Sequence, residues 1–475
     1  MLFNSAVFIL LFFLVFNLYW LLPLKGKHIL IVVTSLIFYA WYSFPFLLLF
    51  LTLILFNYAL SIVLLRYKSK LLLILGLIVD LGNLFFFKYF YMIAQSVCYL
   101  IGIAYLEDLH ANWLNDYNYE ITLPIAISFY TFQIVAFLVD SYRGVINERV
   151  PFRKYLIFIL FFPQFIAGPI MRASDFIAQI DHPTPTKDRM FQGVLLLLLG
   201  TVKKVLIADR IGIVIAPIFS NPDQYDAVAL VLAPLGFAAQ VFTDFSGYTD
   251  MARGLSKMLG YEVPENFAGP FLSRSTREFW RRWHITLSSW LRDYIYIPLG
   301  GSRAGKWRVH TNLIITMALG GLWHGADWSM LLWGMYIGID MGIERELDEK
   351  GIRILPESTF GNVVRVIWSF FRFYMGLFLF RAPTIVESWE MLEGIFTLQR
   401  ALPIKNVEGF LGLCILAFLF NIPQYYQGLV AKFRTGPVWR GFDARYAITF
   451  MGLIVVGLLV SMYGDVAGNF IYFSF

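Results

Sequence analysis

Long apolar stretches separated by short polar breaks set the pattern of this chain. Runs rich in Leu, Ile, Val and Phe occupy residues 3–22, 29–43, 46–65 and 71–105. Others follow at 121–139, 155–170, 191–219, 227–243, 311–343, 362–380, 407–424 and 446–464. A helix crossing the hydrocarbon layer needs ~20 residues, so the run at 71–105 has room for two elements. Shorter runs suit re-entrant or interfacial pieces, and the pattern predicts about ten to twelve crossings. The expected fold is all-α, a polytopic membrane helical bundle that takes 1–475 as a single membrane domain. Within it, 1–120 hold N-terminal spans, 121–343 a core and 344–475 C-terminal spans. The first run, Met1 to Trp20, lacks a positively charged start and a small-residue cleavage site, so it reads as a retained span.

Composition strengthens the membrane reading: 59% of residues are hydrophobic and 15% charged, against roughly 25% charged in soluble domains. Cys98 and Cys414 lie far apart in apolar runs without His or Cys neighbours at ligand spacing, which implies neither a disulfide framework nor a metal site. The net charge of +6 is better explained by cytoplasmic loops collecting Lys and Arg than by nucleic-acid binding. Lys25 and Lys27 follow the first run, and Arg66, Lys68 and Lys70 follow the third. Both loops are expected in the cytoplasm, with the N-terminus extracytoplasmic. The acidic loop of Glu107, Asp108, Asp116 and Glu120 then falls outside, and the loop of Arg143, Arg149, Arg153 and Lys154 inside.

The largest polar interval, 253–310, carries ten Lys or Arg and four acids, an excess equal to the whole chain's net charge. Aromatic and aliphatic residues are threaded through it. Trp280, Trp283, Leu287, Trp290, Leu291 and Tyr294 recur at helical spacing, so one face can enter the membrane interface or the bundle. The basic residues are left for cytosol, headgroups or an anionic ligand.

Two histidines are candidates for chemistry. His324, in Gly321-Leu-Trp-His-Gly-Ala326, lies between apolar runs; an ionisable group at that depth is expected to face a water-filled cavity or a polar partner. A histidine that only ties helices together is the bland alternative. His284, in Arg281-Arg-Trp-His-Ile285, is the second candidate, and it suits headgroup anchoring equally well. His28, His110, His182 and His310 fall in polar loops and are expected to be solvated. Asp140, Lys203, Lys204, Asp209, Asp244, Asp250 and Asn266 lie in otherwise apolar stretches, where structural ion pairs, some with the arginines, are the default. Neither a nucleotide-binding phosphate loop nor a G-x-S-x-G elbow occurs. One buried histidine and a basic mouth suit acyl transfer, with the imidazole taking the proton of a hydroxyl that attacks a thioester, and cations holding the phosphates of a coenzyme A donor.

Several segments carry a family resemblance. Leu123-Pro-Ile-Ala-Ile-Ser-Phe-Tyr-Thr-Phe-Gln133, Phe162-Pro-Gln-Phe-Ile-Ala-Gly-Pro-Ile170 and Lys203-Lys-Val-Leu-Ile-Ala-Asp-Arg210 come first. Asp244-Phe-Ser-Gly-Tyr-Thr-Asp-Met251, Pro264-Glu-Asn-Phe267, Glu278-Phe-Trp-Arg-Arg-Trp-His-Ile-Thr-Leu-Ser288, Leu291-Arg-Asp-Tyr-Ile-Tyr-Ile-Pro-Leu-Gly-Gly301 and the His324 segment follow. Over residues 120–335 the chain resembles the membrane-bound O-acyltransferase family (MBOAT), in particular its bacterial alginate O-acetyltransferase branch. The resemblance implies the MBOAT fold, with re-entrant and interfacial helices around a transmembrane tunnel, in a bacterial inner membrane. It implies His324 as the catalytic histidine and His284 as the second important one. Donor or substrate binding is then expected at Arg277, Arg281, Arg282, Asn266, Trp323 and Asp244. The implied reaction moves an acetyl group, with acetyl-CoA as donor substrate and no permanently bound cofactor, for O-acetylation of an exported polysaccharide such as alginate. Membrane lipids and secreted SGNH-type acetyltransferases in the periplasm are the implied partners. Relatives often carry a further histidine where this chain has Ile337, so that histidine's role does not transfer. D-alanyl transfer to teichoic acid and peptidoglycan O-acetylation are rivals within the family. A polysaccharide or lipid transporter and a scaffold for a secreted transferase are rivals outside it.

Overall fold

The computed structural model describes residues 3, 5–102, 121–165, 168–184, 186–303, 305–352, 356–397, 401–425 and 444–463. The acidic loop around Glu107 and His110 lies outside the described residues. Among the described residues the regular structure is helical, and only two isolated β-bridges interrupt it. The contacts divide the chain into two compact units, 13–184 and 185–475, the latter taking 2–12 as well.

The first unit contains α1 (Ala6–Leu21, from Phe13 onward), α2 (Leu24–Ala40), α3 (Phe44–Tyr67), α4 (Lys70–Ile101), α5 (Ile127–Arg143) and α6 (Phe152–Leu160). Local signals mark the ends: the Ser43 and Ser69 side chains accept from the N–H groups of Phe46 and Leu72, and Gly102 closes α4 in the left-handed conformation. The two elements expected in 71–105 are one uninterrupted 32-residue helix. Gly76 and Gly82 weaken a helix but do not break it, and no proline lies in the run. His28, expected in solvent, is fully buried, with Nε2 2.9 Å from the Ile180 carbonyl; His182 is exposed as expected.

The second unit begins with α7 (Lys187–Thr201), which runs through a π-helical turn at Val202–Ala208 into α8 (Asp209–Ser220). Beside it lies the 32-residue α9 (Ala227–Met258), capped by Asp226 on the Ala229 N–H. A Cβ on Gly254 would meet the Gly193 carbonyl at 2.5 Å, so α7 and α9 pack backbone to backbone. Two short helices follow, α10 (Thr276–Arg282) and α11 (Ile285–Leu291). Next come α12 (Lys306–His324), α13 (Trp328–Glu349), α14 (Thr359–Arg381), α15 (Ile385–Thr397), α16 (Val407–Leu419) and α17 (Ala444–Tyr463).

Six helical stretches among the described residues are long and apolar enough to cross a membrane: 44–67, 70–101, 187–220, 227–258, 359–381 and 407–425. The sequence pattern predicted more. α1, α2 and α5 contain 16, 17 and 17 residues, short of a full crossing, while α12 and α13 carry more charge at their ends. The protein is a multi-pass membrane protein built as an all-α helical bundle.

Candidate active site

His324 is the last residue of α12, and Gly325, in extended conformation, ends the helix. The chain turns back within three residues, and the Asp327 side chain accepts from the Ser329 N–H to start α13. This hairpin is tight because Gly321, Gly334 and Gly338 lie where the two backbones touch; a Cβ on Gly338 would fall 2.6 Å from the Ile314 Cα. His324 is therefore held by a rigid helix pair.

The ring of His324 is buried, 4% exposed, among aromatic edges. Its centroid lies 4.9 Å from Trp323, 5.3 Å from Trp333 and 5.3 Å from Phe380. The adjoining cavity, lined by Phe237, Val241, Trp283, His324, Trp333, Phe373, Leu377 and Phe380, measures about 10 Å³. That is room for about one water molecule. The expectation was a water-filled cavity or a polar partner; the cavity found beside the ring is small and lined by aromatic and aliphatic side chains.

His284 sits where a continuous helix was expected. It has φ 42°, which separates α10 from α11. The cause lies 16 to 18 residues earlier in the chain. Asn266 Oδ1 accepts from the Thr286 N–H (3.1 Å) and hydroxyl (2.9 Å), its carbonyl accepts from the Ile285 N–H, and the Ala268 N–H donates to the Arg282 carbonyl. Residues 266–268 thus take up backbone groups that an unbroken helix would pair internally. The apolar face enters the bundle, with Phe279, Trp283, Leu287 and Trp290 all buried. His284 is fully buried as well and does not anchor headgroups from the surface. Its Nδ1 accepts from the Leu287 N–H at 3.4 Å, which caps α11 and places the hydrogen of the neutral ring on Nε2. Burial pushes its pKa down to about 3, so the ring is neutral at physiological pH. Trp323 stands beside both histidines, 5.6 Å from the His284 ring.

The arginines lie on the other side of α10. Arg277, Arg281, Arg292 and Arg345, with Ser288, Ser289 and Tyr296, line an open pocket of about 470 Å³. Arg277 pairs with Asp348 and with Glu344 (3.6 Å), Arg292 with Asp293 (2.6 Å) and Arg345 with Glu349 (2.6 Å). Arg281 is exposed and has no carboxylate partner among the described residues. Arg282 points elsewhere: it pairs with Glu278 at 2.9 Å, donates to the Ala268 carbonyl and stacks 4.2 Å over Tyr425. Glu344 accepts from the N–H groups of Thr276 and Arg277 at the start of α10 and pairs with Arg372 of α14, so α10 is latched to α13 and α14. One layer of tryptophan separates pocket from histidine: Trp280 lines the pocket and lies 5.8 Å from Trp333, which abuts His324.

Of the remaining candidates, Asn266 shapes the break at His284, and Asp244 belongs to a buried ion cluster. Lys204 bridges Asp244 (2.6 Å) and Asp209 (2.8 Å), and Lys203 pairs with Asp250 (2.6 Å). Ion pairs were the expectation for these residues, but the partners are chiefly the two lysines of the π turn; Arg253 reaches Asp250 only at 3.9 Å. Sequence reasoning passed over Trp333, Phe380, Arg345 and Ser288. Trp333 sits one residue before a conspicuous glycine, but nothing local in the sequence aims its ring at His324. Ile337, the position of the missing histidine, is buried and lines a small cavity with Trp280, Trp333 and the Asp340–Arg372 pair. Among the described residues no group of three His, Cys, Asp or Glu is placed to hold a metal ion.

A helical bundle that buries His324 behind a basic pocket suits a membrane acyltransferase, and similarity to known proteins agrees. The chain belongs to the membrane-bound O-acyltransferase family, whose profile matches residues 141–345. It is 38% identical over 449 residues to a protein of Pseudomonas aeruginosa described as a probable alginate O-acetylase, covering 90% of this chain and 82% of that one. It is 32% identical to a Helicobacter pylori peptidoglycan O-acetyltransferase, over 84% of this chain and 80% of that one. To a Bacillus subtilis teichoic acid D-alanyltransferase it is 27% identical, over 54% of this chain and 68% of that one. The protein is an O-acyltransferase.

Proposed function

We propose that the protein moves an acetyl group from a cytoplasmic thioester donor, acetyl-CoA, across the bacterial inner membrane for O-acetylation of an exported polysaccharide such as alginate. The observation that carries this reading is the alignment of an open arginine pocket, a two-tryptophan layer and the buried His324 within one helical unit. Arg281 and its neighbours engage the phosphates of the donor through charge-assisted hydrogen bonds. The thioester passes inward between Trp280 and Trp333. His324 takes the proton of the acceptor hydroxyl as its oxygen attacks the thioester carbon; the C–S bond breaks, and the departing thiolate recovers that proton from the imidazolium. In this reading the aromatic shell is the closed point of a transmembrane tunnel, and Trp333 and Phe380 must swing aside to admit an acyl group. The N-terminus is extracytoplasmic, 1–475 act as one membrane domain, and secreted SGNH-type transferases complete delivery to the glycan.

Replacing His324 with alanine is expected to abolish acetylation while leaving the folded protein at wild-type level. Full activity in that variant removes the proposed role. Trapping of labelled acetyl on the protein with donor alone replaces direct transfer with an acyl-histidine relay. Peptidoglycan as acceptor is a second reading, supported by the Helicobacter pylori relative. Feeding labelled acetyl donor to cells and fractionating cell wall from secreted polysaccharide separates the two acceptors.

A further inference from the structure

A groove on the flank of the α12–α13 hairpin is used by none of the steps above. α12 begins with Lys306, Trp307 and Arg308 behind Gly305, which offers no side-chain cap and has open space around it. Cations in a first turn oppose the helix dipole, and uncapped N–H groups there favour an anion. Lys350, from the end of α13, comes to the same place. Lys306 and Lys350 share one carboxylate, Glu346, at 2.6 and 3.0 Å, and His310 Nε2 lies 3.6 Å from its other oxygen. Both lysine side chains remain more than half exposed, so the cluster keeps an excess of positive charge facing outward. Beside it runs an open apolar cleft of about 530 Å³ lined by Ile314, Ile339, Ile343 and Leu347, with Gly338 and Gly342 at its base, where α13 packs closely on α12. Ile339 is 46% exposed, Ile343 55% and Trp307 82%, so an apolar surface lies open beside the charges.

We propose that this groove binds one anionic phospholipid, its phosphate at the first turn of α12 on the outward-facing side of the Lys306 and Lys350 ammonium groups and one acyl chain in the apolar cleft. The excess positive charge selects an anionic over a zwitterionic headgroup, and the cleft selects a lipid over a soluble anion. The bound lipid braces the hairpin whose far end carries His324. The site stands on membrane residence alone and does not depend on the acetyl-transfer reading.

The full-length protein in nanodiscs of phosphatidylcholine doped with phosphatidylglycerol, released into detergent and weighed by native mass spectrometry, is expected to retain one phosphatidylglycerol in preference to phosphatidylcholine. The double variant Lys306→Gln, Lys350→Gln, changed only at exposed positions, is expected to weaken that retention ~25-fold, about fivefold per lysine near a lipid surface. Ile343→Trp, which fills the cleft and keeps the charges, is expected to lose the lipid as well. Equal retention of the two lipids by the wild type, or unchanged phosphatidylglycerol binding in the double variant, overturns the proposal.

Discussion

Two charged regions of the second unit answer the same physical problem in opposite ways. At the π turn, Lys203 and Lys204 face Asp209, Asp244 and Asp250, and every member is at least 90% shielded from solvent. Around α10 and α11, the arginines border an open pocket, and Arg281 has no carboxylate partner among the described residues. Buried charges persist only when paired, because desolvation outweighs anything an isolated ion gains. In the first cluster both lysines are thus committed to aspartates, and the pairs hold α7, α8 and α9 together. The second keeps unspent positive charge for something that arrives. Charge count along the chain does not distinguish the two; accessibility does.

The sharpest way to break this contrast is Lys204→Met, which strands Asp209 and Asp244 without their shared cation. A loss of ~3–5 kcal/mol follows from breaking a buried pair, and the folded fraction recovered in detergent should collapse on size-exclusion chromatography. Adding Asp244→Asn should restore part of it. An unchanged elution profile would show that the cluster is dispensable. At the open pocket the response should be functional instead. Arg281→Gln is expected to leave folding intact and raise KM for the acetyl donor about tenfold, the worth of one charge-assisted hydrogen bond, with kcat little changed. A fall in kcat at constant KM would move Arg281 out of donor binding.

His284 refines the comparison between buried and open groups through pH. The unfolded chain takes up a proton at this imidazole near the ordinary 6.5, whereas the folded ring resists protonation down to about 3. Its contribution to stability is therefore complete above pH 6.5 and is lost as the pH falls through that window. Thermal melts of wild type between pH 7 and 4 (about the range where unfolded histidine titrates) should drop more steeply than those of His284→Gln. Parallel slopes would mean that another group dominates acid sensitivity. The smallest effect is expected at Arg274→Gln, an exposed i,i+4 partner 4.0 Å from Glu278. Its stability should stay within ~0.5 kcal/mol of wild type, and a larger change would show that α10 depends on more than Glu344 and Arg372.

Membrane residence, the all-α class and the family were legible in the chain itself. Helix formation in lipid depends on local hydropathy and on each segment closing its own hydrogen bonds, and both are properties of contiguous residues. The caps at Ser43, Ser69, Asp226 and Asp327 are likewise local. His324 stood out because an ionisable residue among apolar runs and glycines is costly wherever it occurs.

Only the tertiary structure decided the rest. The helical spacing of Trp280, Trp283, Leu287 and Trp290 suits one continuous helix, yet Asn266 and Ala268 draw off its backbone groups and leave His284 in a left-handed turn. Whether a lysine meets an aspartate five residues away or one forty residues on depends on how α7, α8 and α9 pack, and whether an arginine stays open depends on which carboxylates the neighbouring helices bring. The aromatic shell around His324 joins Trp333 of α13 to Phe380 of α14, a contact across 47 residues of chain that no local pattern encodes. Hydropathy acts along the chain and is readable there; pairing, burial and access arise between distant segments and exist only once the helices have packed.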